Sequence, residues 1–580
     1  MKSLASKLLV NLLGALCVLG GSGLSLALDR EAFSITNYDL KLQIDLVQHR
    51  LGARGKITLR NDTTVSQKIA VLQISSSLDW RAVKADGKPV QYLTQPFASD
   101  IDHTGALSEA IVTLPQPVAP HGTVDLEVGY EGVVALDATR LTRIGTPDDA
   151  AKSSDWDQIS PDGSAIRGVG YVAWYPIATD VANLSEGDSL FEVLNRWKAR
   201  ESGSALRINL QDPVATGGSN APTLVCNGKL MRGITKDGAS NFAWAQCSYN
   251  DLGHAVPSLA LANYGVVDRP SITVFNLPSH AAAAEAYADA AEKAAPLIND
   301  WFGPLHDKPQ TVDLTDAESA PFETGSLLFT PLANSGSSRA GLSAAHQLTH
   351  AAFYSTRPWI EEGLAHFAQA LYLEQQNGRQ AAIDYLVKHR SVLKAVEESE
   401  TVPSSSDEVN RALVSTTNEA LYRSKSMCVW WMLHDMIGPA ALKKAIAAYR
   451  PDQDKEPSYM PRLIATQTQR DLEWFFDDWV YRDRGLPDFK VESAFSRKTL
   501  NNTFILTVTV DNIGTAGAEV PIIVKFAGGE AKKRLEVHAK DKATIRVETP
   551  AAPEEIVLND GSVPERDTEN NTFKVPAPES

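Results

Sequence analysis

Three things are scarce in this 580-residue sequence: cysteine, positive charge, and apolar runs long enough to cross a bilayer. Four cysteines are too few for a disulfide-stapled scaffold, so stability must come from hydrophobic cores. The net charge of −16 argues against nucleic acid or an anionic membrane surface as the main partner. Beyond the N-terminus no stretch reaches the ~18 apolar residues that a spanning helix needs. What is present is ordinary for a globular protein, 43% hydrophobic and 22% charged residues. The length exceeds what one hydrophobic core supports, so two to four domains are expected.

The N-terminus combines Lys2 and Lys7, an apolar run, and the small-x-small site Ser25-Leu26-Ala27. This is the pattern of a signal peptide over residues 1–27, with export to a periplasmic or extracellular space. An uncleaved membrane anchor is the other reading of the segment. Export makes an oxidising compartment available to Cys226 and Cys247. They bracket a hairpin-like stretch with turn signals at Asn227-Gly228 and Asp237-Gly238, and they either pair across neighbouring strands or stay as buried thiols. Cys17 leaves with the leader, and Cys428 sits in an apolar helical stretch as core.

Three textures follow. From residue 28 to about 270 the pattern alternates, as in Tyr38, Leu40, Leu42, Ile44 and Leu46, or Val124, Leu126, Val128 and Tyr130, which predicts an antiparallel β-sandwich or saddle. Residues 271–487 open on the Ala-rich "SHAAAAEAYADAAEKAAPLINDWFG" and read as mainly helical. Residues 488–580 return to alternation at Phe504, Leu506, Val508 and Val510, a C-terminal β-sandwich. The expected fold is multidomain α+β.

The chemistry concentrates between Ser343 and Leu371. His346 and His350 lie four apart, so on a helix both project from one face, with Cβ atoms ~6 Å apart. Both can reach one zinc ion at ~2.0–2.1 Å. Glu362 is the candidate third ligand. The helix can climb ~9 Å from His350 to Thr356 before Pro358 blocks simple continuation. The six steps to Glu362 then cover up to ~20 Å, enough to bring it back. Two histidines and one carboxylate leave a fourth position open for water, the catalytic pattern. The same donors also suit other divalent ions.

Taken in order, the motifs resemble the alanyl-aminopeptidase-type gluzincins, the family of aminopeptidase N and leukotriene A4 hydrolase. The zinc motif of that family, His-Glu-x-x-His then Trp-Leu-x-Glu-Gly-Phe-Ala, matches His346-Gln347-Leu348-Thr349-His350 and Trp359-Ile360-Glu361-Glu362-Gly363-Leu364-Ala365. Its exopeptidase motif, Gly-x-Met-Glu-Asn, resembles Ala320-Pro321-Phe322-Glu323-Thr324. Its catalytic tyrosine is matched by Tyr422, sixty positions after Glu362. The resemblance implies a saddle-like β domain, a thermolysin-like zinc domain and a β-sandwich, in that order. It implies an exported zinc aminopeptidase acting on peptides. In it His346, His350 and Glu362 hold one Zn2+, Tyr422 stabilises the oxyanion, and Glu323 binds the substrate's N-terminal amine.

Three departures stand out. Only eleven residues separate His350 from Glu362, fewer than the family usually has. Ala320 and Thr324 replace the Gly and Asn of the exopeptidase motif. Gln347 occupies the position of the general base, where an amide keeps the shape of Glu but cannot accept a proton. Losing a general base typically costs ~10²–10⁴-fold in rate. The expectation is therefore a zinc metallopeptidase of weakened activity. The alternative is an inactive zinc-binding pseudopeptidase that holds peptides or a protein partner in the old cleft. His366, four after Glu362, is either a neighbour of the metal site or a polar residue on the helix face.

Overall fold

The computed structural model describes residues 28–154, 157, 159–186, 189–213, 222–237, 240–333, 337–399, 412–416 and 418–576. The expected leader, residues 1–27, lies outside them. The chain is a multidomain α+β protein. Among the described residues no helix is long and apolar enough to cross a membrane.

Alternation becomes sheet as expected. In Phe33–Asp45 the side chains of Tyr38, Leu40 and Leu42 are buried while Lys41 and Gln43 face water. This strand pairs antiparallel with Arg50–Asn61, which pairs with Thr123–Val133, where Leu126, Val128 and Tyr130 are buried. An eight-stranded sheet results, and Gln67–Ser75, Ala106–Val118 and Tyr92–Ala98 form a three-stranded sheet against it. Leu40, Ile57 and Leu126 of the first share one core with Leu72 and Val112 of the second.

Two features of this unit depart from the sequence reading. Within the stretch read as β lies a helix, Ser189–Glu201, whose Val193 and Trp197 are buried in the same core. The Cys226–Cys247 disulfide forms, with Cα atoms 6.6 Å apart. It does not close the hairpin, because Cys247 stands opposite Leu230 there. Instead it joins the small sheet containing Thr223–Cys226 to the large one containing Ser240–Tyr249.

A five-stranded sheet follows, in the order Gly265–Arg269, Ile272–Asn276, Gln310–Asp313, Leu327–Thr330, Phe322–Thr324. Its central pairings are parallel and its two edge strands antiparallel. On it lies the Ala-rich helix Ala281–Phe302, which buries Ala284, Tyr287, Ala291, Ala294 and Ile298 at the 3–4 spacing of one face. Small side chains let it approach Ala340, Ala344, Ala345 and Leu348 of the helix Ser337–Ala352. That second helix carries both histidines. It ends at Ala352, not at Thr356, and Pro358 opens the next helix, Pro358–Asn377, where a missing N–H costs nothing. Gly363 lets this glutamate-bearing helix meet Ser426–Ile437, since a Cβ there would lie 2.6 Å from Ser426 Cβ and 2.8 Å from Trp430 Nε1. Trp359 and Trp430 stack at 5.4 Å across the same contact.

The C-terminal strands form a three-stranded sheet facing a four-stranded one. Leu506, Val508 and Val510 meet Val520, Ile522 and Val524 in a core continuous with Phe475 and Trp479 of the helical region.

Glu201 ends the helix Ser189–Glu201 in a buried position, taking the Tyr38 hydroxyl at 2.7 Å. Burial lifts its pKa to about 7, against the opposing effects of that hydrogen bond and of Arg200. Folding therefore retains a proton that the unfolded chain loses above its ordinary value near 4.5. The stability this group contributes is complete below that value and is lost as pH rises to about 7, by about 3 kcal/mol. Urea unfolding at successive pH values should show this loss in the wild type relative to Glu201→Gln, with a constant difference above about 7.

Candidate metal centre

The helix Ser337–Ala352 sets His346 and His350 on one face, and their Nε2 atoms are 3.2 Å apart. The next helix returns Glu362 to them. Its Oε2 is 3.8 Å from His346 Nε2 and its Oε1 is 3.6 Å from His350 Nε2. Donors bound ~2.0–2.2 Å from one tetrahedral zinc are separated by about 3.3–3.5 Å. The three side chains thus already stand close to the spacing such an ion needs, and the short chain between His350 and Glu362 suffices to place them.

The surroundings suit a cation. Glu362 Oε2 and His346 Nδ1 are buried without a hydrogen-bond partner. Arg423 Nε stands 3.3 Å from Glu362 Oε2 as an ion pair without hydrogen-bond alignment. Burial holds the His346 imidazole well below its ordinary pKa, and the charges of His350 and Arg423 add to this. His350 behaves oppositely. Burial acts against its charge, yet Glu361, Glu362 and Glu323 together lift it to about 9. For Glu362 burial acts upward and is outweighed by His350 and Arg423. A metal ion held here would compete with the proton that these carboxylates favour on His350.

Two neighbours were only partly foreseen. Glu361 Oε1 lies 3.7 Å from His350 Nδ1, on the ring edge turned away from Glu362, where it orients the imidazole. His366 faces the site, with Nε2 3.9 Å from Glu362 Oε2 and its ring edge-on to His346 at 4.9 Å. Among the described residues two groups of three can gather round a cation: Glu323 with His346 and His350, and His346 with Glu362 and His366. A carboxylate oxygen of Glu323 is within 4.8 Å of the donor atoms of both histidines.

Gln347 is buried, 1% exposed. Its Oε1 accepts the Tyr287 hydroxyl. Its Nε2 donates to Glu323 Oε1 and to the Phe329 carbonyl, both at 3.1 Å. Both amide hydrogens are therefore used inside the protein. Tyr287 carried no sequence signal beyond its place on the buried face of an Ala-rich helix. Arg423 was equally silent, a cation next to the tyrosine that drew attention.

Tyr422 lies in a π-helical turn, Ala420–Lys425, a local widening often found at functional sites. Its ring meets Phe191 edge-on at 6.3 Å. Burial and then Glu419 raise its pKa above the ordinary value, so the phenol stays a donor. A cavity of about 830 Å3 opens beside His350. Glu323, Glu361 and Tyr354 line it together with Tyr171, Phe191 and Lys198 of the N-terminal unit.

Removing either ligand, by His350→Ala or Glu362→Gln, should weaken zinc binding more than about 100-fold, as read by competition with a chromophoric chelator. Glu361→Gln and His366→Ala should each cost about 10–100-fold. Gln347→Leu should leave the affinity within about threefold, because its amide is committed elsewhere.

No family model matches the sequence, and no curated protein matches it. Among solved structures the chain is similar to a variant of a two-domain M1 zinc metallopeptidase bound to L-arginine, at 17% identity and a TM-score of 0.52. The likeness covers 78% of this chain and 94% of that one, and it shows a shared fold.

Proposed function

We propose that the protein is an exported zinc metallopeptidase of aminopeptidase type, with one zinc held by His346, His350 and Glu362. The observation that carries this reading is the convergence of two imidazole nitrogens and a carboxylate within 3.2–3.8 Å, beside a cavity that presents further carboxylates. The reading keeps an N-terminal β domain, a thermolysin-like zinc domain and a C-terminal sandwich. It agrees with the fold shared with an M1 zinc metallopeptidase, whose bound L-arginine is a free amino acid.

A zinc ion there supplies a Lewis acid that draws a water toward hydroxide near neutral pH and polarises the scissile carbonyl. The remaining tasks belong to the chain. Glu361 orients His350. Glu323 and Glu361 give the cavity the negative charge that a free α-amino group seeks and a blocked one does not. Tyr422 and Arg423, on one turn, offer donors to the oxygen on which charge develops.

The pseudopeptidase reading is favoured by one specific observation, the engagement of Gln347 inside the protein. Turnover separates the two. Zinc-loaded protein should hydrolyse aminoacyl-fluorophores above a His350→Ala blank. A chelator should abolish the activity and added zinc restore it. N-acetylation of the substrate should lower kcat/KM by about tenfold or more, the loss of one charge-assisted hydrogen bond. Rates equal to the blank across the panel would leave the silent zinc protein as the answer.

A further inference from the structure

We infer that Glu323 is the proton acceptor of this site and that Gln347 is the residue positioning it. The inference rests on the zinc peptidase reading and explains the residue that reading leaves idle.

The partners of Gln347 settle which way its amide faces. The Phe329 carbonyl only accepts, the Glu323 carboxylate accepts, and the Tyr287 hydroxyl donates to the oxygen. A glutamate at 347 would set a second carboxylate against Glu323 at 3.1 Å and against a carbonyl that needs a donor. Two carboxylates so placed cannot both ionise. The amide at 347 and the acid at 323 are therefore a matched pair, and the surroundings of 347 call for N–H groups.

Glu323 is held from both sides. Its strand, Phe322–Thr324, pairs with Leu327–Thr330, with Glu323 opposite Leu328, through a turn at Gly325 whose φ is +59°. Thr324, one of the departures from the exopeptidase motif, bonds Val256 through its hydroxyl, accepting the N–H at 2.9 Å and donating to the carbonyl at 3.0 Å. Asn227 donates to the same hydroxyl at 3.3 Å. The backbone is thus anchored behind the side chain, and Gln347 fixes the carboxylate in front. With that carboxylate within 4.8 Å of both histidine donors, a water on an ion they would hold at ~2.0–2.2 Å comes within reach of a ~2.7 Å hydrogen bond to Glu323.

In the reaction, the water oxygen forms a bond to the carbonyl carbon as Glu323 takes one of its protons. The carbonyl π pair moves onto oxygen. When that pair returns, the C–N bond breaks and the Glu323 proton passes to the leaving nitrogen. The acid product ionises, the amine leaves, and Glu323 is again a carboxylate. The substrate amine is then left to Glu361, the other glutamate lining the cavity beside His350.

Steady-state kinetics on aminoacyl-fluorophores, with zinc affinity measured in parallel on wild type, Glu323→Gln and Gln347→Glu, tests this. Glu323→Gln should lower kcat by about 10²–10⁴-fold while KM and zinc affinity stay within about threefold. Gln347→Glu should also lower kcat, by about tenfold or more, because its acid confronts Glu323. The assignment falls if Gln347→Glu gains activity, or if Glu323→Gln retains kcat and changes only KM. It also falls if Glu323→Gln loses zinc more than about tenfold, which would make Glu323 a ligand. A wild type that turns over while Glu323→Gln matches it overturns this assignment and leaves the peptidase reading intact. A wild type no faster than the His350→Ala blank overturns both.

Discussion

The buried amide of Gln347 joins the Ala-rich helix to both strands of the hairpin that carries Glu323. It takes a hydroxyl from the Ala-rich helix, gives one N–H to the carbonyl of Phe329 in the five-stranded sheet, and gives the other to Glu323 on the sheet's edge strand. A polar group this buried is costly unless its bonds are made, by about 1–3 kcal/mol for each donor or acceptor left alone. Here the hydrogens are used and the oxygen is occupied, so the amide sets the sheet edge against the histidine helix. Glu323 takes its position beside the histidines from that contact. His346 is the preceding residue in the chain, and Glu323 is the group held beside it.

The second constraint is close approach. The alanines of Ala281–Phe302 and of Ser337–Ala352 let those helices meet near enough for Tyr287 to reach Gln347. Gly363 does the same for the helix that returns Glu362, with Trp430 stacked on Trp359 beside it. The N-terminal unit completes the cavity through Ser189–Glu201. Asn195 of that helix donates to the Thr356 carbonyl at 2.8 Å, and Lys198 and Phe191 face the cavity. The cavity is therefore lined from two parts of the chain that meet there.

Much of the candidate site's geometry was readable in the sequence for a physical reason. An i, i+4 histidine pair and a proline that must stop or start a helix are local facts, and chain length bounds where Glu362 can go. The alternating strands were equally local, as Tyr38, Leu40 and Leu42 show. What the sequence withheld was non-local. Nothing in "AEAYADAA" says that Tyr287 caps an amide sixty residues on. The role of Gln347 could be read only as a loss, because its partners come from two segments distant from it in the chain. The helix Ser189–Glu201 was missed because its mean polarity suits a surface loop and its buried side, Val193 and Trp197, is narrow. The disulfide pairs the expected cysteines by a different route, between sheets, because the hairpin register puts Leu230 opposite Cys247.

The measurement that tests the account most directly is a crystal structure of the zinc-soaked protein with anomalous data collected on both sides of the zinc edge. The account predicts one anomalous peak, within about 2.0–2.2 Å of His346 Nε2, His350 Nε2 and Glu362, with Glu323 outside its coordination and still bonded to Gln347. A peak ligated by Glu323 or His366 in place of Glu362, or no peak at full occupancy of added zinc, would contradict it.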